Sequence, residues 1–145
     1  MIKIDFSVVV NRPPEDVFRY LTDPANLPQW QSGVTEARMV SDGPMGVGTR
    51  MSDVRSMLGR KMESTVEVTE YEPPKIFSLK SVSGPVQFQV RHTLEPSNGG
   101  TKLTFDGRGE PGGFFKLAEP VVARTVERRF KADLETLKDL LESSA

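Results

Sequence analysis

Three side chains in this sequence combine ionisable chemistry with a pattern that could aim them at one place: Asp53, Arg55 and His92. Between Val86 and Leu94, residues Val86, Phe88, Val90, His92 and Leu94 share one strand face, because successive strand side chains alternate sides. The other face carries Gln87, Gln89, Arg91 and Thr93, so the apolar face, with the only histidine, turns inward. An imidazole near neutral pH could give or take a proton. It serves equally well as a core residue bonded to a backbone carbonyl. The stretch Thr49 to Leu58 is ambiguous by pattern. Its apolar members Met51 and Met57 favour placing Thr49, Met51, Asp53, Arg55 and Met57 inward, and the opposite choice makes Asp53 and Arg55 an exposed strand pair. If inward, the carboxylate and guanidinium must satisfy each other or a ligand, since unpaired buried charge is costly. Arg55 could then hold an enolate or a carboxylate.

What surrounds these groups is apolar. The same alternation turns Met62, Ser64, Val66 and Val68 inward on one strand, Phe77, Leu79 and Ser81 on the next, and Leu103 and Phe105 on the last. A few convergent polar groups among apolar side chains is the composition of a small-molecule pocket. Candidate walls on the sheet side are Met51, Met57, Val66, Phe77, Leu79, Phe88, Val90 and Phe105. Met39, Met45, Met51, Met57 and Met62 add flexible thioethers that suit ligands of varied shape, or simply fill gaps.

Positioning these strands needs a cover, and the last third of the chain supplies one. From Gly113 to Leu141 the apolar residues Phe115, Ala118, Val122, Val126, Phe130, Leu134, Leu137 and Leu141 recur every three or four positions, one stripe on one helix face. The stripe and the inner sheet face are each other's natural partners. The first part of this stretch, with Phe114, Phe115, Ala118, Val121 and Val122, is apolar nearly all round and is the candidate helical wall of a cavity. Pro120 should kink the helix there or end a short preceding turn. Arg124, Arg128, Arg129 and Lys131 form the one basic cluster, but Glu119, Glu127, Asp133 and Glu135 flank it, the pattern of a solvated helix face with internal ion pairs.

In chain order, Ile2 to Val10 alternates as a strand and stops at Asn11-Arg12-Pro13-Pro14. Prolines followed by Glu15 and Asp16 start one helix, and Asp23-Pro24 starts a second short one through Trp30. Strands are then expected over Val34–Ser41, Thr49–Leu58, Lys61–Glu72, Lys75–Val82, Val86–Leu94 and Thr101–Arg108, joined by turns at the glycine-rich 42–48 segment, Gly59-Arg60, Pro73-Pro74, Gly84-Pro85 and Pro96 to Gly100. Such spacing indicates an antiparallel meander. The glycines of 42–48 lack the lysine and helix start of a phosphate loop.

Composition narrows the classes further. At 145 residues and 37% hydrophobic content, the chain fits a single domain over 1–145. A net charge of −1 opposes a nucleic-acid-binding role. With no cysteine and one histidine, thiolate zinc sites, cysteine nucleophiles and multi-histidine metal sites are excluded. The opening MIKIDFSVVV is too short and too alternating for a signal peptide, and no apolar run approaches about 20 residues, so the reading is a cytoplasmic protein without stable membrane insertion.

The element order is strand, two short helices, six strands, long helix. With the phrases Pro14-Glu15-Asp16-Val17-Phe18, Leu21 to Trp30, Gly46-Val47-Gly48-Thr49-Arg50, Val68 to Pro74 and Gly99 to Leu103, the chain resembles the polyketide cyclase/dehydrase and lipid-transport branch of the START-like (SRPBCC) superfamily. That resemblance implies an α+β helix-grip fold, a curved seven-stranded antiparallel sheet wrapped around a C-terminal helix with an apolar cavity between them. It also places Trp30 near the cavity entrance, and it favours the inward setting of Asp53 and Arg55.

The leading expectation is a monomer or homodimer that binds a small hydrophobic or aromatic molecule, such as a lipid, polyketide or isoprenoid-like compound, with no cofactor and no metal. Asp53, Arg55 and His92 would orient that ligand. An aromatase/cyclase or dehydratase using the same three residues in acid–base catalysis is the enzymatic alternative. A chaperone- or ribosome-associated interaction protein is the third, and it would show a filled interior and an exposed apolar or basic patch.

Overall fold

In the computed structural model the described residues are 2–57, 59–84, 87–110 and 119–143. Strand β1 (Ile2–Val10) is followed by helix α1 (Pro14–Thr22), where Pro14 opens the first turn, Glu15 and Asp16 face the positive helix end, and Val17, Phe18 and Leu21 are buried. The Asp23 carboxylate accepts the Ala25 N–H at 3.0 Å and starts a 3-10 turn, Pro24–Asn26, which leads into helix α2 (Leu27–Trp30). Strands β2 (Val34–Met39), β3 (Arg50–Met57), β4 (Arg60–Glu72), β5 (Ile76–Ser83), β6 (Gln87–Ser97) and β7 (Gly100–Glu110) precede helix α3 (Glu119–Ser143). All pairing is antiparallel, in the order β1-β7-β6-β5-β4-β3-β2. The meander read from turn spacing is therefore present, closed at one end by β1 against β7.

One local reading changes. The turn expected over Pro96–Gly100 is tighter: Ser97 pairs with Gly100, and only Asn98 (φ 49°) and Gly99 (φ 83°) make the bend. An Asn-Gly pair accepts positive φ at both positions, as a two-residue hairpin demands, so Pro96 stays in β6 opposite Thr101. Pro120 is the second described residue of α3, and its reading as a kink or as the end of a short preceding turn depends on residues outside the described ones. The stretch expected to precede it, with Phe114, Phe115 and Ala118, lies outside the described residues, as do the side chains of Met57 and Val122.

One row of rings crosses the concave face. Register sets Phe6 opposite Phe105, Phe105 opposite His92, His92 opposite Phe77 and Phe77 opposite Tyr71. Their centroids follow at 5.2, 5.5, 6.0 and 6.4 Å. Phe130 of α3 lies on Phe105 at 4.9 Å, and Phe18 of α1 reaches Tyr71 at 5.5 Å. Offset and edge-to-face pairs at such distances add to the burial of the rings themselves. Gly107 belongs to this row's construction, because a Cβ there would lie 2.8 Å from the Phe105 ring, which needs the space. Beyond the row, toward the C-terminal end of α3, Val8, Val10, Leu94, Leu103, Leu134, Leu137 and Leu141 are buried. That end of the helix is also tied down by the Asn11 N–H donating to Glu142 Oε2 at 2.8 Å.

Candidate ligand-binding site

On the other side of the aromatic row the described side chains of the same concave face are less completely buried. Leu79, Ser81, Phe88, Val90 and Gly109 turn inward by register, yet each remains partly exposed, as do Val126 and Phe130 on α3. Glycine on β7 is part of the cause. Gly107 and Gly109 stand opposite Val90 and Phe88, so this strand contributes no side chain there. A Cβ added at Gly109 would meet Gln87 O at 3.6 Å and Phe88 Cβ at 3.7 Å, ordinary contacts.

The expected wall residues divide accordingly. Leu79, Phe88 and Val90 lie in this accessible half. Phe77 and Phe105 are instead sealed in the aromatic row, and Trp30, Met51 and Val66 belong to the buried cluster. Val121 departs from the expectation: it is 67% exposed, because a residue five positions from Val126 sits about 140° around the helix from the face that meets the sheet.

The ionisable candidates occupy two separate environments. His92 is 5% exposed, between Phe77 and Phe105, with Nδ1 3.0 Å from Phe77 O. Only a protonated Nδ1 can donate to that carbonyl. Burial lowers the imidazole pKa to about 4, against a smaller opposing effect of the Phe77 bond, so the ring is neutral at pH 7. Asp53 and Arg55 are together on β3, one strand in from the sheet edge formed by β2. Arg55 Nε donates to Asp53 Oδ1 at 3.0 Å and Nη2 to Oδ2 at 3.1 Å, a two-point ion pair, and Nη2 also approaches Gln31 Oε1 at 3.4 Å.

Sequence reasoning missed a third member. Asp133 of α3 is 6% exposed and accepts the Ser32 N–H at 3.0 Å. Burial raises its pKa above the usual carboxylate value, against the lowering effects of Ser32, Arg129 and Arg55. Arg129 Nε donates to Ser32 Oγ at 3.0 Å, and its guanidinium occupies the place where a Cβ on Gly33 (φ 84°) would be, 2.6 Å away. Three consecutive residues, Gln31, Ser32 and Gly33, are thus gripped by charged groups from β3 and α3. The helix segment read as a solvated charged face buries one of its carboxylates. Its signal was present: Asp133 is three residues after Phe130 and four before Leu137, on the apolar stripe.

Two clefts open elsewhere on the surface, the larger of them lined in part by Asp53. One of about 310 Å³ is between α1 and the Pro73–Pro74 turn, beside Phe18 and Tyr71. The other, about 560 Å³, follows the β2–β3 edge past Glu36, Arg38 and Glu63. Among the described residues no group of acidic, histidine or cysteine side chains could hold a metal ion, and no helix is long and apolar enough to cross a membrane.

A curved seven-stranded antiparallel sheet gripping a long C-terminal helix defines a helix-grip protein. Residues 1–142 match the family described as polyketide cyclase/dehydrase and lipid transport, and the chain belongs to that family. A protein of Mycobacterium tuberculosis is 24% identical over 136 residues, covering 90% of this chain and 95% of the relative. The crystal structure of TTHA0849 from Thermus thermophilus superposes with a TM-score of 0.84 at 21% identity, over 98% of this chain and 99% of that one. The ZhuI aromatase/cyclase from a Streptomyces strain gives 0.76 at 16% identity, over 97% and 93%.

Proposed function

We propose that this protein binds a small hydrophobic or aromatic molecule between the concave sheet and the N-terminal half of α3. The carrying observation is the set of inward, apolar, partly exposed side chains Leu79, Phe88, Val90, Val126 and Phe130 beside the side-chain-free Gly109. Apolar ligand surface placed there would gain about 25 cal/mol per Å² removed from water. The family's association with lipid transport supports the same reading. Gly109→Leu tests it, because the added side chain enters the space without displacing the aromatic row. Native mass spectrometry of the wild type should show a co-purifying small molecule, or a hydrophobic ligand panel should raise its melting temperature. Both effects should disappear in Gly109→Leu at unchanged stability. A wild type that neither carries nor responds to any hydrophobic compound would sink the reading.

A second reading, a cyclase or dehydratase acting on a poly-carbonyl chain, draws on the likeness to an aromatase/cyclase fold and on the buried Asp53 paired with Arg55, with Asp133 nearby. In that case Asp53, Arg55 and Asp133 would carry the ionic chemistry, with Arg55 facing developing negative charge. His92, neutral down to about pH 4, would contribute packing and polarity rather than proton transfer at neutral pH. Turnover of a poly-carbonyl substrate that is abolished by Arg55→Gln, with ligand binding retained, separates this reading from simple binding.

A further inference from the structure

Ser81 sets a hydroxyl into the accessible half of the inner face. On β5 it follows Phe77 and Leu79 on the same side, and register places it opposite Val66, which is buried. Thr65 and Val66 stand opposite Ser83 and Ser81, so Val82 is an extra residue on β5, a bulge of the kind that re-aims side chains beside it. The β5–β6 register ends with Lys80 opposite Gln89. Continued by one pair, it would bring the Phe88 N–H to the Ser81 carbonyl, because Leu94 N donates to Lys75 O six positions away and bonded pairs alternate along the ladder. The Phe88 N–H donates instead to Ser81 Oγ, at 2.9 Å. That bond holds the hydroxyl beside Phe88, which stands opposite Gly109, where β7 has no side chain.

A serine hydroxyl carries one proton and two lone pairs. Phe88 takes one lone pair, and the proton remains to be donated. Ser81, Leu79 and Phe88 are all partly exposed, so a molecule in this space can reach that proton. Ser64 on β4 is less available: it is buried, and a Cβ added at Gly84 would lie 3.0 Å from its Oγ. Charge then selects the kind of oxygen that fits. Ser64 stands opposite Asp53, whose carboxylate accepts twice from Arg55. Arg55 is therefore already committed, and an anionic ligand would be desolvated on the side of a carboxylate. A neutral carbonyl oxygen needs only the one proton that Ser81 offers.

We propose that Ser81 determines specificity by donating its hydroxyl proton to a neutral carbonyl oxygen of a ligand whose apolar body lies along Leu79, Phe88 and Val90. This rests on the binding reading above and adds the ligand's class: an uncharged molecule with an acceptor oxygen, preferred over a hydrocarbon and over a carboxylate of the same shape.

Three matched probes test it with the full chain: 2-ethylnaphthalene, 2-acetylnaphthalene labelled with ¹³C at its carbonyl, and 2-naphthoate. In calorimetric titrations the ketone should bind the wild type about tenfold tighter than the hydrocarbon, with the carboxylate weaker than the ketone. Ser81→Ala should erase the ketone's advantage and keep hydrocarbon binding, whereas Ser81→Thr, which retains a hydroxyl, should preserve it. The ratio of two affinities is read within one protein, so loss of the Phe88 bond acts on both probes alike. The labelled carbonyl stretch reports the proposed bond directly: it should fall to lower frequency in the wild-type complex than in a hydrocarbon solvent. A stretch at the hydrocarbon-solvent frequency overturns the proposal even if the variants fold poorly. So does a ketone preference that persists in Ser81→Ala, or a carboxylate that binds tighter than the ketone. Equal binding of hydrocarbon and ketone refutes the role of Ser81 and leaves the binding reading standing, whereas failure of all three probes removes both.

Discussion

The two halves of the concave face are built on the same strands and covered by the same helix, but they are finished differently. Toward the C-terminal end of α3, Val8, Leu94, Leu103, Leu134, Leu137 and Leu141 close the space between sheet and helix, and the aromatic row seals it. Toward the N-terminal end of the described helix, Leu79, Phe88, Val90 and Val126 pack against the core yet stay partly exposed, and β7 offers Gly107 and Gly109 opposite Val90 and Phe88. Register accounts for the division. On the partly exposed side β5 and β6 still present Leu79, Phe88 and Val90, but β7 faces them with Gly107 and Gly109, so burial and accessibility reside on different rungs of one ladder.

Truncation in the closed half should have the largest effect. Leu137, fully buried, mutated to Ala should cost about 3 kcal/mol of stability, the loss of transfer energy plus an unfilled cavity. Urea titration checks it. A cost below about 1 kcal/mol would mean that the helix is less firmly seated than its burial implies.

His92 gives the aromatic row a pH signature of similar size. Its folded pKa of about 4 lies below the ordinary imidazole value of 6.5, so the unfolded chain binds more protons between the two. Stability is therefore fully present above about pH 6.5 and is lost as pH falls toward 4, by about 3 kcal/mol in all. His92→Leu should flatten that slope in melting curves taken across the range. Asp133 acts in the opposite sense: its raised pKa means that the ionised form is disfavoured by folding, so its contribution weakens as pH rises past the ordinary carboxylate range.

The grip on Ser32 separates shape from charge. Asp133→Ala leaves the Ser32 N–H without its acceptor and should cost about 2 kcal/mol. Asp133→Asn keeps an oxygen for that bond and removes the burial cost of the charge, so its stability at neutral pH should match or exceed that of the wild type. Equal losses in both variants, read from urea midpoints, would show that the carboxylate's charge, and not its hydrogen bond, holds the turn.

Smallest in stability is the open half. Phe88→Ala should cost about 1 kcal/mol because the ring is already partly exposed, while weakening hydrophobic ligand binding far more than Leu137→Ala does at matched stability. If the two variants lose binding and stability in the same proportion, the halves are not functionally distinct.

Much of this was legible from residues alone. Alternation in β1, β4, β5, β6 and β7 assigned the inner face, and Asp23-Pro24 and Pro14 marked where helices begin. His92 faces inward because parity along one strand is a local property of the backbone. The glycine at 109 and the carboxylate at 133 carried their information in the same pattern, but a missing side chain and a lone acid on an apolar stripe have meaning only when their neighbours are known.

What tertiary structure decided was which inward residues are sealed and which are accessible. Phe77 and Leu79 are two positions apart on one strand face, and nothing in their order distinguishes a buried ring-row member from a partly exposed wall. That distinction comes from cross-strand partners on other strands and from where α3 comes to rest. The same holds for the charges. Sequence places Asp53 beside Arg55, but Asp133 and Arg129 reach the Gln31–Gly33 turn from the far end of the chain. Burial and ion pairing are properties of an enclosed volume, and a chain encloses volume only once its distant parts meet.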